Sequence, residues 1–182
     1  MRCRQLLLLP TLVAFGCIKP LPTQRLATPV DVATLLVHDD IYQNRAFTAT
    51  DELSSAISEA LRQRNLVDKL RKLDIKQFSR LRDSARRLKR LGSESNAPLL
   101  MLVESQARYY GEIRGRFRWN VYLKVTLSER TQLDSAVTEQ FEQAAIMPFA
   151  HQKEADAISS VAKVMARQVG TMIDQFLAGR AL

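Results

Sequence analysis

Phe117–Ser128 reads FRWNVYLKVTLS and carries an apolar side chain at every second position. The apolar set is Phe117, Trp119, Val121, Leu123, Val125 and Leu127. Successive side chains of a β-strand point to opposite faces, so this segment has one apolar face and one polar face. It predicts a strand in a sheet whose apolar face must be covered by helices from elsewhere in the chain.

The bulk composition is that of one soluble domain. The chain has 182 residues, of which 46% are hydrophobic and 25% charged, enough for a core within a single domain. Its net charge of +8 favours anionic neighbours. Both cysteines lie in the first 17 residues, so we expect no disulfide in the domain. With only two histidines, a zinc site is not expected, and no cofactor is implied.

The first residues have the layout of a secretory signal. Arg2 and Arg4 precede the apolar run Leu6–Phe15, which is too short to span a bilayer comfortably. Ala14-Phe15-Gly16-Cys17 is similar to a bacterial lipobox, in which the cysteine is lipidated and becomes the first residue. The alternative is a buried N-terminal helix or strand with an incidental cysteine. We therefore expect a signal peptide over 1–16 and lipidation at Cys17.

The residues after Cys17 suit a tether between an acyl anchor and a folded domain. Ile18–Thr23 contains two prolines and cannot join a helix. Ile18 is not the Asp that marks retention at the inner membrane in many bacteria. We expect a tether over 17–28, a single domain over 29–182, and an outer-membrane location on the periplasmic face. Loss of Arg2 and Arg4 lowers the net charge from +8 to +6.

Apolar periodicity predicts an α/β (α+β) domain, with a small mixed or antiparallel sheet and helices mainly on one face. The expected strands are Pro29–Ile41, Leu66–Leu70, Leu99–Tyr110, Phe117–Glu129 and Ala136–Met147. The expected helices are Asp51–Asn65 with Thr50 as N-cap, Gln77–Leu91 with Gly92 as C-cap, and Glu154–Leu177. The connections include a polar loop over Tyr42–Ala49 and a hairpin loop over Gly111–Gly115.

The closing helix carries a long apolar stripe for the sheet. Its stripe consists of Ile158, Val161, Ala162, Met165, Val169, Met172, Ile173, Phe176 and Leu177. The positions expected outside the core are Ser159, Lys163, Arg167 and Asp174. Gly170 interrupts the helix, and a close contact with the sheet would explain it.

Positive charge is concentrated in Asp68–Arg90, which holds ten basic residues against three acidic ones. Phe78, Leu81, Ala85 and Leu88 form the predicted apolar stripe of its helix. The basic residues placed off that stripe are Arg80, Arg86, Arg87 and Arg90. They form either a solvated surface or a docking face for an anionic surface or partner, since local excess charge creates a local field. We assign these four arginines as the candidate binding residues.

The motifs GxGxxG, GxxxxGK[ST], HExxH and GxSxG are absent, and no candidate catalytic constellation is evident, so we expect no enzymatic activity. A metal-dependent enzyme using His38-Asp39-Asp40 is a weaker alternative. Basic and aromatic residues interleave over Arg108–Trp119, a pattern that can bind single-stranded nucleic acid. Strand phase sends Phe117 and Trp119 toward the core instead. A nucleic-acid-binding module is therefore the alternative function, if the N-terminus is not a signal.

The element order resembles lipoprotein α/β domains of three bacterial families. They are the curli-secretion channel family, the TolB amino-terminal domain and the outer-membrane activators of penicillin-binding proteins. The matching segments are Val32–Val37, Asp51–Asn65, Ala85–Val103 and Val121–Leu127. A lipopolysaccharide-assembly lipoprotein is the second choice. Glu104 and Ser105 stand where those families often have a glycine after the core strand.

This resemblance implies a non-enzymatic, lipid-anchored accessory subunit of an envelope assembly, secretion or cell-wall-synthesis complex. Its partners would be the membrane, through the lipid anchor, and an envelope protein complex, with anionic lipid or cell wall as further candidates. Nucleic acid is not expected as a partner of an exported protein.

Overall fold

The computed structural model describes residues 23–40, 45–70 and 83–179. The strands are β1 (Val30–Asp40), β2 (Arg45–Thr48), β3 (Leu66–Leu70), β4 (Leu99–Ile113), β5 (Arg116–Glu129) and β6 (Val137–Met147). The helices are α1 (Asp51–Arg62), α2 (Ser84–Glu94) and α3 (Glu154–Ala178). A short 3-10 turn, Leu133–Ser135, leads into β6.

The strands form one mixed sheet in the order β2-β1-β4-β5-β6. β1 runs parallel to β4, and β4, β5 and β6 continue as an antiparallel meander. The other edge of β1 is shared, because β3 pairs in parallel with its first half and β2 pairs antiparallel with its end. Of the two predicted alternatives, mixed or antiparallel, the sheet is mixed. The short strand Leu66–Leu70 is confirmed.

Helices α1 and α3 cover one face of the sheet, and α2 covers part of the other. On the first face, Leu53 and Ile57 of α1 join Met165 and Met172 of α3 in the main core. On the second face, Leu88 and Leu91 of α2 pack in a smaller cluster. Their sheet partners in that cluster include Ala33, Leu35, Val37, Leu100 and Leu102. This arrangement confirms that the helices lie mainly on one face.

The alternation along Phe117–Ser128 places its apolar set toward α1 and α3. Val121, Leu123 and Val125 are completely buried there, whereas Phe117 and Trp119 are half-buried and pack against the same core. On the opposite face the polar side chains of Thr126 and Ser128 are also buried, so the second face is not uniformly wet.

The sheet has two distinguishable ends. At the tether end lie residues 23–30, the start of β4 and the C-terminus of α1. At the hairpin end lie Asp40, the N-terminus of α3 and the β4–β5 turn. Ile113 lies eight residues past Ser105, the last β4 residue paired with β1, so the hairpin extends about 25 Å beyond that pair.

The hairpin turn is tighter than the sequence suggests. Gly111 lies inside β4 at a bulge in the register with β5, and the turn itself is Arg114-Gly115. Both turn residues have positive φ, 53° and 73°, as a two-residue type I′ hairpin requires. The predicted loop Gly111–Gly115 is therefore wrong in length, because a bulge and a turn both use glycine.

Two other boundaries differ from expectation. Arg45–Thr48 pairs with β1 as strand β2, where a polar loop was predicted. Helix α2 passes Gly92 and ends at Glu94, so Gly92 is not its C-cap. A Cβ on Gly92 would lie 3.1 Å from Leu100 Cδ1, which fits close packing of α2 on the sheet. The part of the predicted helix before Asp83, with Phe78 and Leu81, lies outside the described residues.

The remaining helix predictions agree well with the structure. Thr50 caps α1, its hydroxyl accepting a hydrogen bond from the Leu53 amide at 3.3 Å. The predicted stripe of α3 is buried throughout. Within the described ranges, no helix has the length and apolarity needed to cross a bilayer.

Candidate functional site: a buried charge cluster and an exposed basic face

Arg87 is buried at the centre of a charge cluster on the second face of the sheet. It is only 2% exposed, and its Nη1 and Nη2 donate to Asp39 at 2.7 Å each. Nη1 also donates to Glu104 Oε1 at 2.5 Å. Burial alone would lower the pKa of Arg87, but the hydrogen bonds and charges of Asp39 and Glu104 raise it on balance. The assignment of Arg87 to a docking face is therefore wrong: it ties α2 to β1 and β4.

The other predicted binding arginines have different positions. Arg86 is exposed on α2. Arg90 is also exposed and forms an ion pair with Glu94 one helical turn further on. Arg80 lies outside the described residues, as does Cys17. Among the described members of the predicted set, Arg86 and Arg90 are the two that lie together on an exposed face of one helix.

A polar pocket of about 310 Å³ opens beside the Arg87 cluster. In it, Lys124 Nζ donates to Ser84 Oγ at 2.8 Å, and Ser84 donates to Glu104 Oε2 at 2.6 Å. The Ser84 hydroxyl therefore links Lys124 to the carboxylate that Arg87 holds. Arg108 and Tyr122 also line this pocket.

His38 connects β1, β4 and the start of α3 rather than ending β1. Its Nε2 lies 3.0 Å from Glu154 Oε2, and its Nδ1 lies 3.2 Å from the Ser105 carbonyl oxygen. Burial first, and the charge of Asp40 second, raise the pKa of Glu154, while His38 opposes them. Within residues 23–40, 45–70 and 83–179, no group of His, Cys, Asp and Glu side chains is arranged to hold a metal ion.

The raised pKa of Glu154 predicts a pH dependence of stability. The folded state holds this proton above the ordinary glutamate pKa of 4.5, so stability should fall as pH rises from there through the raised value. Glu154→Gln removes the titration and keeps a hydrogen-bonding side chain near His38. We expect the Tm of Glu154→Gln, relative to wild type, to increase between pH 4 and pH 7. Exposed Glu142→Gln on β6 is the control, and equal pH profiles for wild type and Glu154→Gln would contradict the assignment.

A second buried ion pair joins α1 to α3 at the tether end. Arg64 Nε and Nη2 donate to the two carboxylate oxygens of Asp174 at 2.8 and 2.7 Å, and Arg64 Nη1 donates to the Ala60 carbonyl at 2.7 Å. Asp174 is 4% exposed, so its predicted place outside the core is wrong. A Cβ on Gly170 would lie 2.6 Å from Arg64 Nη2. The close contact that explains Gly170 is therefore with this guanidinium, not with the sheet.

The same ion pair holds the start of the described chain. The Gln24 amide donates to Asp174 Oδ1 at 2.9 Å, and the Leu26 amide donates to the Arg64 carbonyl at 3.1 Å. Thr23 lies in a groove of about 1040 Å³ between α1 and α3. Residues 24 and 26, placed in the tether by sequence, are thus bound to the domain, and the chain enters it at the tether end.

At the hairpin end, the second face of the sheet presents basic and apolar side chains, all exposed except the partly buried Arg118. We call this the distal face and define it by Arg108, Tyr110, Ile113, Arg116, Arg118 and Ile146. Tyr110 is 65% exposed and Ile146 49% exposed. Arg118 Cζ lies 4.7 Å from the centre of the Tyr110 ring. All residues of the distal face except Ile146 lie within the interleaved basic and aromatic segment Arg108–Trp119. Phe117 and Trp119 of that segment point to the core, as expected.

The fold is similar to several solved bacterial structures. They include hypothetical protein CT253 from Chlamydia trachomatis, at 12% identity and a TM-score of 0.45, covering 83% of this chain and 96% of that one. The PelC dodecamer from Paraburkholderia phytofirmans has 16% identity and a TM-score of 0.44, with coverages of 82% and 93%. Lipoprotein GNA1162 from Neisseria meningitidis has 8% identity and a TM-score of 0.42, with coverages of 78% and 98%.

Neither a family model nor a curated protein matches the sequence. Some of the similar structures are lipoproteins by name. At TM-scores below 0.5 and identities of 16% or less, these similarities assign neither a family nor a function to this chain.

Proposed function

We propose that this protein is a lipid-anchored, non-enzymatic accessory subunit of an envelope assembly, secretion or cell-wall-synthesis complex. In this proposal an acyl chain on Cys17 holds it to the outer membrane, with the domain on the periplasmic face. The signal-like layout before Cys17 supports the anchor.

One structural observation carries the accessory role: the chain enters the domain at one end, and the distal face lies at the other. Gln24 and Leu26 are hydrogen-bonded at the tether end, next to Arg64 and Asp174. From Cys17 to Thr23 the chain can reach at most about 20 Å. The anchor therefore keeps the tether end near the bilayer and leaves the distal face directed away from it, where a second envelope protein can reach it.

Substitution of Cys17 tests the anchor. Cys17→Ser should abolish incorporation of labelled palmitate and leave an unprocessed precursor, because the lipidated cysteine is the residue at which the signal would be removed. The measurements are metabolic labelling and membrane fractionation, with Cys3→Ser as the matched control that should behave like wild type. If Cys17→Ser is labelled and fractionates like wild type, the lipid anchor is wrong.

A photo-crosslinking side chain at Tyr110 tests the docking role in intact cells. Tyr110 is the most exposed large hydrophobic side chain of the distal face. Lys163 is an exposed control position on α3, which covers the opposite face of the sheet. We expect an envelope protein to be captured from position 110 but not from position 163, and the product to disappear when Cys17 is replaced by Ser. Capture from position 163 alone would place the docking surface elsewhere.

A further inference from the structure

Two arginines of the distal face, Arg108 and Arg118, make contacts that hold them in place before any partner binds. Arg118 Nε donates to Asn120 Oδ1 at 3.3 Å while its guanidinium lies over Tyr110. Arg108 Cζ lies 5.5 Å from the centre of the Tyr122 ring. A stacked guanidinium loses less conformational freedom on binding and keeps its forked donors available for a carboxylate.

Apolar side chains lie beside these arginines at matching positions of the sheet. Ile113 pairs with Arg116 across the hairpin, and Ile146 of β6 pairs with Arg118. The two isoleucines are 44% and 49% exposed. Arg116 and Arg118 are two residues apart on one strand, so they are separated by about 6.6 Å along it. Side chains two apart on an extended peptide have the same spacing.

The charge of the hairpin selects the kind of partner. Arg108–Arg118 contains four arginines and the single acid Glu112, so a second copy of this face would be repelled. Bases of a nucleic acid need open aromatic faces, whereas Tyr110 and Tyr122 are each covered on one side by a guanidinium. A polyanion without apolar groups would leave the side chains of Ile113 and Ile146 exposed to water, so it matches this face less well than a segment that carries apolar side chains.

We propose that the distal face binds an extended acidic protein segment that presents two carboxylate side chains, two residues apart, and flanking apolar side chains on one and the same face. The carboxylates pair with Arg116 and Arg118, and the apolar side chains cover Ile113 and Ile146. This proposal rests on the proposed function, in that it names the chemistry of the docking partner.

The test measures binding of a short synthetic peptide, Leu-Ser-Glu-Ser-Glu-Ser-Leu, to the full chain purified in neutral detergent. In the extended state its two Glu and two Leu side chains share one face. We expect salt-sensitive binding by isothermal calorimetry. Peptides with Lys for Glu, or with Ser for Leu, should bind at least about tenfold more weakly, since each lacks one of the two contacts. Equal affinity for all three peptides, or tighter binding of oligothymidylate than of the Glu-Leu peptide, would overturn the proposal.

Matched variants locate the site. Arg116→Gln/Arg118→Gln should weaken peptide binding at least about tenfold with little change in the unfolding temperature, because Arg116 is exposed and Arg118 is only partly buried. Arg130→Gln/Arg167→Gln removes the same charge from exposed positions elsewhere and should bind like wild type. Ile113→Asn/Ile146→Asn should also weaken binding, which a purely electrostatic attraction would not. Equal loss in the two arginine pairs would refute a local site.

The outcome separates this inference from the proposed function. The peptide assay does not depend on the acyl anchor, whereas palmitate labelling does not depend on the distal face. Peptide binding without labelling would leave the acidic-segment inference intact and remove the anchor. Labelling and crosslinking at Tyr110 without peptide binding would retain the docking role and overturn the acidic partner.

Discussion

Arg87→Ala should destabilise the protein by about 3–5 kcal/mol, although Arg86→Ala, one residue away, should change stability by no more than about 0.5 kcal/mol. The difference arises because Arg87 is 2% exposed and compensates two carboxylates, whereas Arg86 is exposed. Truncation of Arg87 leaves Asp39 and Glu104 close together with their main counter-charge gone. Glu104 is itself buried, so solvent cannot replace the guanidinium.

Chemical denaturation of the two alanine variants measures this effect directly. In the Arg87→Ala background, Glu104→Gln should recover part of the loss, since it removes one of the uncompensated charges. Arg87→Lys should fall between wild type and Arg87→Ala, because an ammonium keeps the charge but cannot make the forked contact with Asp39. Identical denaturation midpoints for Arg86→Ala and Arg87→Ala would show that the cluster contributes little to stability.

Loss of the Arg64–Asp174 ion pair should cause the second large decrease in the stability of the protein. Asp174→Ala leaves a buried guanidinium with the Ala60 carbonyl as its remaining acceptor among those described above, and should cost about 3–5 kcal/mol. Replacing both partners with apolar side chains, Arg64→Met/Asp174→Leu, should cost less than either single loss, because no uncompensated charge is then buried. Arg62→Ala breaks the fully exposed pair with Glu59 and should have no measurable effect.

Hydrogen exchange offers a second measurement of the same pair. The Gln24 amide donates to Asp174, and the Leu26 amide donates to the carbonyl of Arg64. Asp174→Ala should therefore speed exchange at Gln24 more than at amides in the middle of β4, such as that of Leu102. Uniform acceleration across the domain would indicate only global destabilisation, and unchanged exchange at Gln24 would show that the pair does not hold the tether.

Local pattern was sufficient for most of the secondary structure. Alternation over Phe117–Leu127 identified the central strand, and the stripe from Ile158 to Leu177 identified α3, because both periods reflect backbone geometry that short segments contain. The N-cap Thr50 also depends only on neighbouring residues. Most of the distal face could be predicted from the alternating arginines and aromatic residues of the sequence. Ile146, which completes this face from β6, could not.

Only the tertiary structure decided which charged side chains are buried and which are exposed. Arg87 and Arg86 look alike in the sequence, and only the arrival of Asp39 from β1 and Glu104 from β4 makes one of them a buried anchor. Asp174 is likewise buried because Arg64, 110 residues earlier in the chain, packs against Gly170 and donates hydrogen bonds to the Asp174 carboxylate. A short sequence window records the periodicity of its own backbone. It does not record which distant counter-charge will be present to compensate the cost of removing a side chain from water.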